Sequence, residues 1–246
     1  MISVIIPVFN AEESLRCCLD SLFLQTYRNI EVIIVNDAST DKSLDIAKEY
    51  IKQMQEEGIP YKIINHENNT GAPSARNHGF QGSKGDYIFF CDADAVLEKD
   101  CFYEMVQALE NNPGVSYAYS SFYWGKKLFK LWPFDGKKLR QMPYVHSSSL
   151  IRSKDFPITG WDENIKRLQD WDLWLTMLDE NHKGIHIDKV LFQVCAGGTM
   201  SNWLPSIAYK LAPFLPEVKK YKSALKIVKE KHGMLLADEE KTMKTK

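Results

Sequence analysis

Through the first hundred residues, apolar positions fall in short β-branched runs separated by segments with a single apolar face. That is the pattern of strands buried on both sides of a parallel sheet and joined by helices. Ile2–Val8 is the first such run. Asn10 then stands where a helix N-cap belongs, with Glu12 and Glu13 in the first turn and Leu15, Cys18, Leu19, Leu22 and Phe23 on one stripe. Residues 31–36 repeat the strand, 37–41 form a polar turn in which Asp41 caps a helix, and 42–55 carry apolar residues at helical spacing. A third strand is predicted at 61–64, a Gly- and Asn-rich loop at 67–72, and a short helix at 73–79 with Pro73 in its first turn. A fourth strand at 87–91 runs straight into Asp92, Ala93 and Asp94.

The second half is less regular, with helices predicted at 99–111 and 163–181 and strands at 115–122, 145–151 and 185–194. The reading is an α/β chain: a doubly wound, mostly parallel, Rossmann-like sheet flanked by helices, with a smaller mixed portion. One domain spans 1–215, in halves 1–115 and 116–215, followed by a helical tail at 216–246 with nine lysines against five acidic residues. In open parallel sheets ligands collect beyond the carboxyl ends of the strands, so the loops after Val8, Asn36 and Cys91 are expected to converge.

Composition narrows the classes. With 44% apolar and 12% aromatic residues among 246, the chain has material for a core and is not a disordered segment. Lys plus Arg number 31 against 32 acidic residues, a formal charge of -1 that gives no general attraction to nucleic acid. Five cysteines, an odd count without a Cys-x-x-Cys pair or a preceding secretory pattern, point to a reducing cytoplasm. No apolar run approaches the roughly 18–20 residues of a membrane-spanning helix.

Two carboxylates placed two residues apart directly after a buried strand are costly unless they meet a cation. Mg²⁺ or Mn²⁺ suits them, since such ions take one or two carboxylates and complete their shell with water and phosphate. As an isolated tripeptide, Asp92-Ala93-Asp94 serves equally well as a turn. Asp37, at a strand end, is an acceptor for a ligand's donor groups, and Arg76 offers paired donors to phosphate or to a base carbonyl.

The segments SVIIPVFN at 3–10, SLFLQTY at 21–27, VNDASTD at 35–41, GAPSARNHG at 71–79 and GDYI at 85–88, with the Asp92/Asp94 pair, resemble glycosyltransferase family 2 in content and order. The resemblance is strong over 1–115 and looser to about residue 201. It implies a GT-A fold, a nucleotide-sugar donor and inversion at the anomeric carbon. The half 1–115 then binds the nucleotide-sugar and 116–215 faces the acceptor. Position by position it implies that Pro7, Val8 and Asn10 border the nucleotide, that Asp37 meets the base, most often uracil, and that Arg76 helps hold the nucleotide. Asp92 would face ribose or metal-bound water, and Asp94 would ligate Mn²⁺ or Mg²⁺. The family's base motif, a Glu-Asp pair opening a helix, is matched by QDWDLWL at 169–175 with Gln169 in place of Glu, which leaves Asp170 as the base. Asp170 and Asp172 do not share a helix face, so one of them at most points into the cleft.

On the acceptor side, GWDE at 160–163 resembles the family's Gly-Phe-Asp-Glu turn, bringing in Asp162, Glu163 and Trp161, which either stacks on a sugar or belongs to the core. His146 either contacts sugar hydroxyls or is a buried strand histidine. Asn36, Ala95 and Thr176 depart from the family pattern, and 196–201 lacks the family's histidine. The Gln-x-x-Arg-Trp pattern of processive synthases is missing at 201–203, which favours single addition. Aromatics and lysines at 123–134, with the tail, are candidates for peripheral contact with an anionic membrane carrying a lipid-linked acceptor. The expected function is therefore transfer of one sugar, UDP-linked, to a glycan or lipid-linked hydroxyl in cell-surface polysaccharide or lipopolysaccharide assembly. The alternatives are a degenerate binding module of the same fold and a nucleotidyltransferase, the latter disfavoured because 7–11 has neither Gly nor Lys.

Overall fold

The structure, a computed structural model, describes residues 1–195 and 214–234. β1 (Ile2–Val8), β2 (Ile30–Asn36), β3 (Tyr61–Asn65) and β4 (Tyr87–Phe90) form a parallel block in the spatial order β3-β2-β1-β4. Every residue of β2 and all of β1 except Pro7 are buried, which is why these strands read as unbroken apolar runs. α1 (Leu15–Phe23), α2 (Ser43–Glu49), α3 (Ile51–Glu56) and α4 (Ala72–Gln81) connect them, with α4 packed on β1 and β2.

Pro7 sits in a central strand without breaking it. The Ile5 carbonyl accepts from Cys91 N–H on the β4 side at 2.9 Å, and Pro7, two residues on, faces the same way. The last pair with β4 is Ile5↔Phe90, so the missing proline N–H falls beyond the ladder and costs no strand bond. The early end of β4 also opens the space over which residues 91–94 run.

Past β4 the sheet becomes mixed. β8 (Leu150–Arg152) is antiparallel to β4 and to β6 (Tyr117–Trp124), while β9 (Gly184–Val194) runs parallel to β6. β5 (Ala95–Leu97) joins β9, and β7 (Lys127–Phe129) folds back on β6. α5 (Cys101–Glu110), α6 (Gly136–Gln141) and α7 (Gln169–Asp179) complete this half, and α8 (Pro216–Lys231) follows. The expected α/β sheet, parallel in its first half and mixed in its second, is the one observed.

Several elements differ from expectation. Asn10 does not cap α1: its backbone is left-handed, with φ 48°, and its side chain accepts Thr40 N–H at 2.8 Å, so the helix begins at Leu15. The helix expected over 42–55 divides at Tyr50 into α2 and α3. Asp41 does accept the Ser43 N–H at the start of α2, at 2.9 Å. The strand expected over 145–151 shrinks to Leu150–Arg152. Ser148 N–H donates to His146 Nδ1 at 3.0 Å and Ser149 Oγ to the His146 carbonyl at 2.7 Å, local bonds that compete with a ladder. Residues 163–168 form a turn, so the long helix starts only at Gln169. β5, β7 and α6 were not anticipated, being too short to display a period.

Gly184 lets β9 pass beneath Tyr117, whose buried ring lies 4.5 Å from that of Trp174 on α7. A Cβ at Gly184 would lie 2.3 Å from the Tyr117 ring. Gly184→Ala is expected to cost about 1–3 kcal/mol, the usual range for overpacking, read as a lower urea midpoint with an unchanged slope.

Candidate active site

Three loops meet above the carboxyl ends of the parallel strands. The register places Val8 beside Asn36 and Asn36 beside Asn65, so the segments after β1, β2 and β3 leave the sheet at one level. Val8 supports the site through its main chain: its side chain is buried and its carbonyl accepts Asp37 N–H at 2.8 Å. The post-β1 and post-β2 loops brace each other, Glu12 N–H donating to Asp41 at 3.0 Å and Lys42 N–H to Glu12 at 3.0 Å. Among the described residues four non-glycines have positive φ, and three of them, Asn10, Ala38 and Leu168, flank this cleft. Strain held at such positions tends to mark sites whose surroundings over-determine them.

Asp37 is buried and fully engaged. Its Oδ1 accepts from His66 Nδ1 at 2.7 Å, Thr70 N–H at 2.9 Å and Thr70 Oγ1 at 2.9 Å, and its Oδ2 from Gly71 N–H at 2.7 Å. Burial opposes its charge, but the Thr70, His66 and Gly71 donors outweigh burial and hold the carboxyl below its ordinary range. Gly71, at φ 94°, supplies the backbone turn that aims two N–H groups at one carboxylate. His66 extends the chain outward, its Nε2 lying 2.7 Å from His78 Nδ1. Sequence reading did not find His66 or Thr70; a His one residue past a strand end carries no distinguishing spacing.

The second centre lies after β4. Arg76, buried on α4, donates to Asp92 Oδ1 at 2.7 Å and to Gln169 Oε1 at 3.3 Å, while its guanidinium lies 4.4 Å from the centroid of the Trp161 ring. Asp92 Oδ2 accepts from Ser147 Oγ at 3.0 Å, with His146 Nε2 at 3.9 Å. Burial works against the Asp92 charge, but Arg76, His146 and Ser147 prevail and keep its carboxyl below the usual range. Asp94 is its opposite. Burial and the neighbouring Asp92 charge push it up to about 7, and no cation among the described residues pairs with it. Asp170, at the start of α7, is raised by burial against the pull of His146 and the Trp171 N–H, the latter 2.9 Å from its Oδ1.

The arrangement thus brings Arg76, Asp92, His146 and Asp170 into one electrostatic cluster, with Asp94 two residues along the chain and Gln169 beside Arg76. Trp161 is not a sugar platform: it is 2% exposed, packs edge-on against Phe90 at 5.1 Å and carries Arg76 on its face. His146 is buried, in an irregular segment and not in a strand. Asp162 points away from the cleft, pairing with Lys231 at 2.8 Å, and Glu163 accepts from Asn77 at 2.9 Å. Asp172 is buried on the opposite side of α7 from Asp170, in contact with α8.

The Asp94 carboxylate, half-buried beside a second charge and without a counter-ion among the described residues, is a donor suited to a hard divalent ion. No group of three or more His, Cys, Asp or Glu among the described residues could hold a metal unaided. Mn²⁺ and Mg²⁺ tolerate few protein ligands when a diphosphate and water fill the remainder, so the residues present fit. The loop at 196–201 lies outside the described residues, as does 201–203.

Sheet and cleft together have the GT-A architecture. The chain belongs to glycosyl transferase family 2, whose family model matches residues 3–160. It is 44% identical over 100 residues to glycosyltransferase GlyA of Streptococcus pneumoniae, covering 40% of this chain and 14% of that protein. It is 40% identical over 116 residues to glycosyltransferase YibD of Escherichia coli, covering 47% and 32%. The likeness therefore spans less than a third of each relative. Among solved structures, Staphylococcus aureus TarS 1-349 in complex with UDP superposes with a TM-score of 0.65 at 19% identity, covering 89% of this chain and 68% of TarS 1-349. The mannosyltransferase PcManGT of Pyrobaculum calidifontis, in complex with GDP-Man and Mn²⁺, gives 0.66 at 16% identity, covering 80% and 57%. These similarities establish the shared fold.

The depressed Asp37 carboxyl has a measurable sign. Its contribution is complete above the ordinary carboxylate value and is lost as pH falls through the lower folded value. Asp37→Asn is expected to cost about 1–3 kcal/mol in urea unfolding at neutral pH, with the gap to wild type closing in that acid range.

Proposed function

We propose that this protein transfers one sugar from a nucleotide-linked donor, UDP-linked in the first instance, to a hydroxyl of a glycan or lipid-linked acceptor, with inversion at the anomeric carbon. One observation carries the reading: Asp170, from the second half of the chain, stands unpaired by any cation among the described residues, beside the Arg76–Asp92 pair of the first half. The UDP and GDP-Man in the complexes of TarS and PcManGT support a nucleotide-sugar donor for the same fold.

In this reading Asp37 braces the loop against which the base lies, and Pro7 and Asn10 border the nucleotide. Arg76 is anchored by Asp92, and Asp92 faces the ribose side. Asp94, with Asp92, would hold Mn²⁺ or Mg²⁺, whose chemistry there is to neutralise charge on the departing diphosphate. Asp170 takes the proton of the attacking acceptor hydroxyl. Its raised affinity for protons, from burial, brings it closer to the pH at which a general base works best. Attack then comes from the face opposite the diphosphate. Single addition in cell-surface polysaccharide or lipopolysaccharide assembly, at the cytoplasmic face of a membrane, belongs to the same proposal. No helix among the described residues is long and apolar enough to cross a membrane.

Calorimetry of UDP with and without Mn²⁺, together with UDP release from UDP-GlcNAc, tests the reading. Asp94→Ala is expected to abolish the Mn²⁺-linked part of UDP binding. Asp170→Asn is expected to keep UDP affinity and lower turnover by about 10²–10⁴, the worth of a positioned base. Wild-type protein that binds no nucleotide with metal would instead indicate a binding module that has lost catalysis.

A further inference from the structure

The Lys-rich tail was expected as a helical appendage to the domain and a candidate for membrane contact. The far end of α8 is instead turned inward. Lys231 Nζ donates to Asp172 Oδ2 at 2.9 Å and to Asp162 Oδ2 at 2.8 Å. His232 Nε2 lies 2.9 Å from Asp172 Oδ1, and its Nδ1 2.7 Å from Asp179 Oδ2. Both ring nitrogens face carboxylate oxygens, which only accept, so the ring is an imidazolium donating on both sides. The helix's near end is fixed as well: Arg167 pairs with Glu217 at 2.6 Å, and Val218 and Val228 are fully buried.

These partners are not scattered. Asp172 and Asp179 lie seven residues apart on α7, two turns along one face, so His232 spans them as a staple. Asp162 belongs to the turn whose Trp161 carries Arg76 and whose main chain is held by Asn77, Trp161 N–H donating to Asn77 Oδ1 at 2.9 Å. Lys231 therefore ties that turn to the first turn of α7. Leu168 at the N-cap is left-handed at φ 60° and its side chain caps nothing, so the first-turn side-chain bond to a free N–H is that of Asp170 itself to Trp171. Asp172 sits two residues after Asp170, about 200° around the helix, so gripping Asp172 on one side sets the direction of Asp170 on the other.

We infer that α8 is a positioning clamp, in which Lys231 and His232 hold the first turn of α7 so that Asp170 faces the cleft. Both act through Asp172 and touch neither donor nor acceptor. The inference rests on the assignment of Asp170 as the base and adds to it a requirement located 61 residues further along the chain, at Lys231. An approach error of about 1 Å can cost on the order of 100-fold in rate, so a clamp of this kind acts on turnover before it acts on binding.

The test uses the full chain with Lys231→Ala/His232→Ala, Lys231→Arg and Asp170→Asn. Amide hydrogen exchange is followed over 160–173 and over β1–β4. UDP release from UDP-GlcNAc with Mn²⁺ gives kcat and KM, and calorimetry gives UDP affinity. For the double variant the clamp predicts faster exchange confined to 160–173, kcat lowered about tenfold or more, and KM and UDP affinity unchanged within twofold, with Lys231→Arg restoring most of kcat. Unchanged exchange over 160–173 overturns it. So does faster exchange with an unchanged kcat, which would make α8 a tether without influence on the base. If Asp170→Asn turns over like wild type, or wild type releases no UDP, the base assignment fails separately, and the exchange result alone decides whether α8 clamps α7.

Discussion

The Arg76–Asp92 ion pair of the first half is the point at which the second half takes hold, through Gln169 and Ser147. Removing a charge from water is costly, and a pair of this kind is sustained only when further hydrogen bonds satisfy what remains. Here Asp92 has Ser147, and Arg76 has Gln169 and the face of Trp161, while its buried Nε has no hydrogen-bond partner among the described residues. The pair also sorts the neighbouring carboxylates. Because Arg76 pairs with Asp92, Asp92 stays ionised while Asp94 and Asp170 keep the proton-seeking character that burial gives them. Groups of one chemical type, pushed apart by their surroundings, are left with different tasks.

Loop convergence follows from the sheet. Equal register across β1, β2 and β3 delivers their loops to one level, and the short β4 leaves residues 91–94 free to cross above β1. The loops then hold one another: Asn10 with Thr40, Glu12 with Lys42, and Asp37 with Thr70 and Gly71. Asp37, expected as a free acceptor for a base, already takes four hydrogen bonds from its own protein, three on Oδ1 and one on Oδ2.

The parallel half was legible because fully buried strands and amphipathic helices leave long periodic traces, and the family order of motifs named the GT-A fold. Asp92 and Asp94 were legible because they directly follow a readable strand, and Arg76 because it lies within a readable helix. The second half was legible only in outline. Three-residue strands carry no period, and the serine run at 147–149 diverted an apparent strand into local bonds. Trp161 was ambiguous because an aromatic beside a turn looks the same in sequence whether it faces a sugar or a guanidinium. The lysines of the tail were least legible: a run of lysines reads as a solvated face, and nothing local distinguishes Lys231, whose partners lie 59 and 69 residues away.

That distance has a structural meaning. The donors to Asp92 come from 16 and 55 residues away, and Arg76 reaches Gln169 across 93. The parallel block and the segment directly after it contain Asp37, Arg76, Asp92 and Asp94, the residues to which the proposed function gives the nucleotide and its metal. They lack His146, Ser147, Gln169 and Asp170, which arrive only when β6, β8 and α7 close over β4. In the proposed reading, nucleotide recognition and proton removal are built on different stretches of chain, and Arg76 and Asp92 meet the second stretch through Gln169 and Ser147. On the proposed reading, changes in the irregular half alter what is attacked and leave the donor loops braced as they are.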